Sequence, residues 1–118
     1  MIMKTELSSG DIVWVDFSPG KGHEFQGKRP AVIIQSKKQL LKSNLVTLIP
    51  LTSNTGNKMD DDIFIYADRK NRLNLDSIIK VYYIISFDYS RLDKKIGSVS
   101  PKVMSDIKKY LGSHFEIL

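Results

Sequence analysis

Residues 11–36 read DIVWVDFSPGKGHEFQGKRPAVIIQS and contain two strand-like runs joined by a polar connection. DIVWVDF alternates apolar and polar side chains, which is typical of a strand with one face in a hydrophobic core. The connection carries three glycines and a proline, so we expect it to turn. Pro30 restricts Arg29 to extended geometry and so opens the next strand, AVIIQS, at 31–36. The stretch predicts a β-hairpin whose loop, GHEFQGKRP at 22–30, concentrates hydrogen-bonding and ionisable groups.

Further strands are predicted where β-branched and aromatic residues cluster between turn signals. The segment KKQLLKSN is predicted to be a surface connection with one helical turn, and the acidic run Asp60–Asp62 a solvated turn. The predicted strands are LVTLIPL at 45–51, DIFIY at 62–66, SIIKVYYIISF at 77–87 and IGSV at 96–99.

One clear helix is predicted at the end of the chain. Ser100 can cap it, Pro101 suits its first turn, and Gly112 marks its stop. Its apolar face consists of Val103, Met104, Ile107, Tyr110 and Leu111. The predicted fold is therefore mainly β with a small α component. It is a strongly curved antiparallel sheet of five to seven strands, near a small closed barrel, with one C-terminal helix.

Length and composition indicate a single globular domain over residues 1–118. There are 18 Lys and Arg residues against 13 Asp and Glu, a net charge of +5, which favours phosphate-bearing or acidic partners. The chain has no cysteine, no apolar run near the roughly 20 residues that span a bilayer, and no apolar signal-peptide core. We expect a cytosolic protein without a membrane association.

No cofactor or metal is expected from the motifs. The chain has two histidines, His23 and His114, and neither has a metal-ligand pattern around it. A P-loop, a GxGxxG turn and a GxSxG elbow are all missing from the sequence. An enzyme built from this chain would have to use Arg, Lys, Thr, Ser, Glu and His side chains.

Arg29 and the hydroxyl pair Thr52 and Ser53 are the first candidates for chemistry. The Arg29 guanidinium stays charged near neutral pH, and its planar fork matches two phosphate oxygens. The alternative is a surface arginine paired with Glu24 or Asp16. Thr52 can donate its hydroxyl to a phosphate oxygen, or can simply bond the local backbone of a turn.

The polar side chains of the loop also have two interpretations. His23, Glu24, Gln26 and Lys28 can be solubilising groups of a flexible connection. Histidine is a common proton carrier in enzymes, so His23 can alternatively shuttle a proton.

Several segments taken together resemble the MazF/PemK family of toxin endoribonucleases. The resemblance runs from Gly10 to Leu111, and its most specific parts are the GD…RP segment at 10–30 and the strand that ends in Thr52 and Ser53. The segments are GDIVWVDFSPGKGHEFQGKRPAVIIQ, LIPLTS, SIIKVYYIISFDYSRL and IGSVSPKVMSDIKKYL.

The resemblance implies a homodimeric, SH3-like barrel that cuts single-stranded RNA without a metal. The ribose 2′-OH attacks the adjacent phosphate and leaves a 2′,3′-cyclic phosphate and a 5′-OH. It implies that Arg29 and Thr52 are the catalytic groups. It also implies a cognate antitoxin with a DNA-binding start and an acidic tail that docks across the RNA groove.

The resemblance further implies RNA-binding roles for loop and strand residues, which are His23, Glu24, Gln26, Lys28, Ser53 and Lys80. Many relatives carry an acid or a glutamine where this chain has Tyr82 and Tyr83. These tyrosines either stack on a base or belong to the core. The identity of the general base is thereby open, with Glu24 and His23 as the available substitutes.

Two alternatives to an RNA-cutting toxin are compatible with the same barrel. One is a toxin that grips a protein target, as the gyrase poison CcdB does. The other is a catalytically decayed toxin that still binds an antitoxin. Arg29 and Thr52 argue against the first alternative, since the gyrase poison does not use such an arginine and threonine as a catalytic pair. The second alternative is suggested only by Tyr82.

Overall fold

A computed structural model describes residues 2–117 and contains a seven-stranded sheet in which all paired strands are antiparallel. The strands are β1 (Asp11–Asp16), β2 (Lys28–Ile33), β3 (Leu45–Thr52), β4 (Ile63–Ile65), β5 (Ser77–Ile79), β6 (Ile85–Asp88) and β7 (Leu92–Ser98). Adjacent strands follow the order β4–β5–β3–β2–β1–β7, and β6 pairs with the first half of β3. The prediction of five to seven antiparallel strands is confirmed.

Two α-helices accompany the sheet, α1 (Lys37–Lys42) and α2 (Pro101–His114). The hydroxyl oxygen of Ser100 accepts a hydrogen bond from the Val103 N–H at 3.2 Å, so α2 begins as predicted. The stop at Gly112 is wrong, because the chain turns left-handed only at Glu116 (φ 57°) and α2 continues to His114. Short 3₁₀ helices occur at Lys4–Glu6, Thr55–Asn57, Val81–Tyr83 and Tyr89–Arg91.

The predicted strand at 77–87 is divided in two by the 3₁₀ helix Val81–Tyr83. Both halves pair with β3, since Ile79 lies opposite Leu51 and Ile85 lies opposite Leu48. Between these two pairs β3 spans three residues, whereas the segment from Ile79 to Ile85 spans six. The three extra residues are accommodated by the helical turn. Sequence pattern could not show this, because it depends on what β3 offers as a partner.

The two faces of the sheet carry separate apolar clusters. On β1, Val13 and Val15 belong to one cluster, whereas Ile12 belongs to the other. The first cluster includes Leu40 of α1, and the second includes Ile107 of α2. All five of these side chains are fully buried. Burying each is worth roughly 2 kcal/mol, so both faces hold the central strands in place.

The expected closure into a barrel is not seen among residues 2–117, where β4 and β7 end an open path of strands. Backbone from the β4–β5 loop covers part of the β7 edge instead. The Ser98 N–H donates to the Lys70 carbonyl at 3.0 Å. Since that edge N–H already has a partner, it is not available to pair with a further strand.

A buried ion pair ties the start of β4 to the end of β5. The ammonium of Lys80 lies 2.5 Å from Asp62 Oδ2, and the two side chains are 9% and 1% exposed. The same oxygen accepts the Met59 N–H at 2.8 Å. The acidic run Asp60–Asp62 is therefore not wholly a solvated turn as predicted, because its last member is buried and paired.

Replacing Lys80 with methionine should leave the buried Asp62 carboxylate without its cation. We expect Lys80→Met to lower the free energy of unfolding by about 3–5 kcal/mol, because an uncompensated buried charge is costly. Urea denaturation measures this loss.

Lys102→Met is the matched control, since Lys102 pairs with Asp106 on the surface of α2 and is 79% exposed. Its effect should stay within about 0.5 kcal/mol. Equal unfolding midpoints for the two variants would contradict the structural role of the Lys80–Asp62 pair.

Candidate functional site

A cleft of about 690 Å³ opens where β2, β3 and β5 approach one another, with β7 along one side. Its walls are the β1–β2 loop and the β4–β5 loop. Five of its lining residues are Lys or Arg. No Asp or Glu of the described residues lines the cleft. The lining consists of Trp14, Gln26, Lys28, Arg29, Pro30, Leu51, Thr52, Ser53, Arg72, Leu73, Asn74, Leu75, Ser77, Lys94, Lys95 and Ile96.

Strand register brings the two predicted catalytic residues together. On β1, Val15 lies opposite Arg29, so Arg29 stands inside β2 rather than ahead of it as predicted. On the other side, Ala31 lies opposite Pro50. The pairing of β2 with β3 ends at that pair, with Arg29 two residues before Ala31 on β2 and Thr52 two residues after Pro50 on β3. Both residues line the cleft.

The Arg29 guanidinium is held by two contacts. Its Nε donates to the Gln26 carbonyl at 3.1 Å, and its central carbon lies 4.4 Å from the centroid of the Phe25 ring. Such a cation–π contact is worth about 0.5–1 kcal/mol at an exposed site. Its terminal nitrogens have no hydrogen-bond partner within residues 2–117 and can receive a ligand.

The alternative in which Arg29 pairs with a nearby acid is not what the structure shows. Glu24 Oε1 accepts the Lys21 N–H at 2.7 Å, and Asp16 Oδ1 accepts the Ser18 N–H at 2.9 Å. Both carboxylates therefore organise the loop backbone. In the described part of the chain, no carboxylate forms a salt bridge with Arg29.

Phe25 connects the polar loop to the hydrophobic core. Its ring centroid lies 6.3 Å from that of Phe17 and 4.9 Å from that of Tyr83. Its backbone N–H also donates to the Tyr83 hydroxyl at 3.0 Å. The ring that supports Arg29 is thus fixed by packing and by a hydrogen bond, which limits the freedom of the guanidinium.

Thr52 ends β3 with its side-chain oxygen accepting the Asn54 N–H at 3.2 Å. This is the local turn bond that the sequence allowed. It uses a lone pair of the oxygen, so the hydroxyl hydrogen can still be donated to a ligand in the cleft. Ser53, the next residue, is exposed and also lines the cleft.

Residues 8–115 match the family model described as PemK-like, MazF-like toxin of type II toxin–antitoxin systems. The chain belongs to this family. The resemblance inferred from the sequence is thereby confirmed.

Curated relatives and solved structures agree with this assignment. The chain is 31% identical over 108 residues to the endoribonuclease MazF6 of Mycobacterium tuberculosis, covering 89% of this chain and 93% of the relative. It is 26% identical over 108 residues to the endoribonuclease toxin MazF of Escherichia coli K12, covering 92% and 93%. Its fold is similar to MazF from Deinococcus radiodurans, with a TM-score of 0.81 and 23% identity over 93% of this chain and 96% of that one.

The predicted RNA-binding residues of this MazF-family chain divide into three groups by position. Gln26, Lys28 and Ser53 line the cleft. His23 and Glu24 are exposed on the same loop but outside the lining. Lys80 is not in the cleft, because its ammonium is buried against Asp62.

The two tyrosines that replace the usual acid or glutamine have different surroundings. Tyr83 packs against the first apolar cluster and contacts Phe25, which agrees with the core alternative. Tyr82 is 44% exposed, and the Lys80 ammonium lies 5.2 Å from its ring centroid. Neither tyrosine lines the cleft.

Sequence reasoning missed several cleft residues of this family member. Trp14, the only tryptophan in the chain, lines the cleft from β1. Arg72 and Asn74 enter from the β4–β5 loop. Lys94 and Lys95 enter from β7, and Lys95 also lies 3.3 Å from Asp11 Oδ1. The basic residues at 69–72 and 94–95 are a signal that could have indicated Arg72, Lys94 and Lys95, but no comparable signal marks Trp14 or Asn74.

Neither a metal-binding cluster nor a membrane helix is found across the described range. Between residues 2 and 117, no three or more His, Asp or Glu side chains group to hold a metal ion. No helix over the same residues is long and apolar enough to cross a bilayer.

Gly97 allows the β4–β5 loop to approach β7. A Cβ at this position would lie 2.6 Å from both the Asn71 carbonyl carbon and the Lys70 oxygen. We expect Gly97→Ala to push the loop away and to lower the free energy of unfolding by about 1–3 kcal/mol, since backbone cannot yield as a side chain can.

Chemical denaturation of Gly97→Ala beside Gly56→Ala tests this prediction. A Cβ at Gly56 meets only the Asn54 side chain, at 3.7 Å, so its steric cost should be small. Equal stability of the two variants would show that the loop does not depend on this close approach.

Proposed function

We propose that this MazF-family endoribonuclease toxin cuts single-stranded RNA through Arg29 and Thr52, without a cofactor. The observation that supports the proposal is their convergence in one cleft whose charged lining residues are all basic. A guanidinium and a hydroxyl that line one cleft provide the donors that the non-bridging oxygens of a phosphodiester accept from.

In the proposed reaction one bond to phosphorus forms and another breaks, and each of the two oxygens involved exchanges one proton. The ribose 2′-oxygen forms a bond to phosphorus and gives up its proton to a base. The bond from phosphorus to the 5′-oxygen breaks, and that oxygen takes up a proton. The products are a 2′,3′-cyclic phosphate and a 5′-OH end.

Arg29 and Thr52 would act on the charge that develops at phosphorus. The terminal nitrogens of Arg29 would bind the non-bridging oxygens and gain strength as negative charge accumulates there. The Thr52 hydroxyl would donate to one of the same oxygens. Because Phe25 and the Gln26 carbonyl already hold the guanidinium, little ordering is required when RNA arrives.

His23 and Glu24 are the candidates for the proton-accepting group. Both stand outside the cleft lining, on the loop that also carries Gln26 and Lys28. Their participation requires this loop to close over bound RNA. Lys80 is left out of the proposed site because it is committed to Asp62.

The proposed substrate is unpaired RNA for two reasons. An open cleft lined by Trp14 can accept a nucleobase stacked on the aromatic ring. Such stacking requires RNA whose bases are unpaired. The nucleophile is the 2′-OH, which DNA lacks.

The proposed partners are an antitoxin and a second copy of this chain in the cytoplasm. Solved structures of similar fold include MazE–MazF from Deinococcus radiodurans, with a TM-score of 0.72 and 19% identity over 92% of this chain and 94% of that one. An acidic antitoxin tail would be attracted by the same basic lining residues that attract RNA.

The proposed chemistry predicts that the purified protein cleaves a single-stranded RNA in EDTA and leaves 5′-OH ends. Arg29→Ala should abolish cleavage and keep the unfolding temperature and the dimer. Thr52→Val, which removes only the hydroxyl, should lower kcat about 10²-fold, the effect of losing one oxyanion donor. End-labelling with a kinase identifies the 5′-OH ends.

Arg69→Ala is the control for the loss of one positive charge, since Arg69 is exposed and outside the lining. It should cut at nearly the parent rate. An Arg29→Ala protein that cuts at an unchanged rate would refute the mechanism. Growth arrest by a parent protein that cuts no RNA would instead favour a toxin that grips a protein target.

The antitoxin proposal has its own test. Adding a peptide that corresponds to the acidic tail should inhibit RNA cleavage, and rising salt should relieve the inhibition because exposed charges are screened. A saturated toxin–antitoxin complex that retains full RNase activity would show that the tail does not occupy the cleft.

A further inference from the structure

The β4–β5 loop contains a residue in an unusual backbone conformation. Of the non-glycine residues described, only Arg72 and Glu116 have positive φ, and each is at 57°. The Arg72 N–H donates to the Asp68 carbonyl at 2.9 Å and closes a single helical turn. Glycine usually takes the left-handed position that ends such a turn, because a Cβ there crowds the backbone.

The turn before Arg72 is rigid. Asp68 Oδ1 accepts the Lys70 N–H at 2.9 Å and the Asn71 N–H at 2.7 Å. The side chain of Asn71 is buried and donates from Nδ2 to the Tyr66 carbonyl at 2.8 Å. The whole turn also rests against Gly97 of β7. The backbone of Arg72 is therefore held in its strained conformation by its surroundings.

Arg72 is exposed and lines the same cleft as Arg29 and Thr52. Across residues 2–117 its guanidinium has neither a hydrogen-bond acceptor nor an acidic partner, so no internal contact accounts for an arginine here. Lys95, by contrast, shares its charge with Asp11 at 3.3 Å. Arg72 thus combines a preorganised backbone with an uncommitted charge.

We propose that Arg72 binds a backbone phosphate of the RNA beside the scissile linkage. This inference rests on the proposed function and assigns a second phosphate site to the same cleft. The contact is made equally in the bound substrate and during the reaction, since this phosphate does not react. Arg72 is therefore a substrate-binding residue, and its removal should raise KM with little effect on kcat.

The sharpest variant is Arg72→Gly, because glycine suits the backbone and removes the guanidinium. The unfolding temperature should stay unchanged or rise by up to about 4 °C. The KM for a single-stranded RNA should rise about tenfold, as for the loss of one hydrogen bond to a charged group, while kcat stays within about twofold. A purely structural role for Arg72 cannot give both results.

The salt dependence of binding gives a second readout that does not need catalysis. A single-stranded RNA with 2′-O-methyl riboses cannot be cut, so its Kd can be measured from low to high salt. The slope of log affinity against log salt should become shallower by about 0.7 in Arg72→Gly, the value for one phosphate contact to a single strand. Arg72→Lys keeps the charge and should retain the parent slope.

Arg69→Ala is the matched control, because Arg69 lies in the same turn and outside the cleft lining. It removes one positive charge and should leave both KM and the salt slope near parent values. An equal rise of KM in the Arg69 and Arg72 variants would show that the effect comes from the net charge alone, and it would contradict a phosphate site at Arg72.

Failure of this inference is distinguishable from failure of the proposed function. A parent protein that cuts no RNA contradicts the function. A parent that cuts RNA together with an Arg72→Gly protein of unchanged KM and slope contradicts only the phosphate site. A lower unfolding temperature with a parallel loss of kcat would make Arg72 a structural residue and overturn the proposal.

Discussion

The antiparallel register of β2 with its two neighbours is the constraint on which the site depends. Pairing with Val15 sets the position of Arg29 along β1. The Ala31–Pro50 pair sets the position of the end of β3 relative to β2. Side chains alternate along a strand, so a slip of one residue would turn Arg29 to the other face of the sheet. The buried clusters on both faces of the sheet resist such a slip, since it would exchange their residues. The core therefore fixes, through register, which face of the sheet Arg29 occupies.

Phe25 extends this control from the core into the loop. Loops usually position side chains less precisely than strands, because fewer contacts restrain them. Here the loop inserts one aromatic ring between Phe17 and Tyr83, and the Arg29 guanidinium rests on that ring. The exposed part of the loop, including His23 and Glu24, is left free of the core. The anchored part of the loop can position the Arg29 charge, while the exposed part leaves room for an RNA strand to enter.

The charge of the cleft is a consequence of where the carboxylates are used. Asp62 neutralises Lys80 in the interior, while Asp68 and Glu24 accept backbone N–H groups in turns. None of these carboxylates lines the cleft, so the cleft cations other than Lys95, which pairs with Asp11, act together on solvent. Close-set positive charges repel one another, and a polyanion relieves that repulsion when it binds. A net charge of +5 alone could not reveal this arrangement.

Local sequence determined the elements that short-range physics controls. The alternation of DIVWVDF and the Ser100–Pro101 start of α2 were sufficient to predict the fold class, whereas Arg29 and Thr52 were proposed as a catalytic pair only through the resemblance to the family. Tertiary structure alone decided what depends on distant partners. It split the 77–87 run against β3, buried Lys80 with Asp62, and seated the Lys70–Asn71 backbone on Gly97. Those outcomes join residues well separated in sequence, and no local pattern encodes which of them will meet.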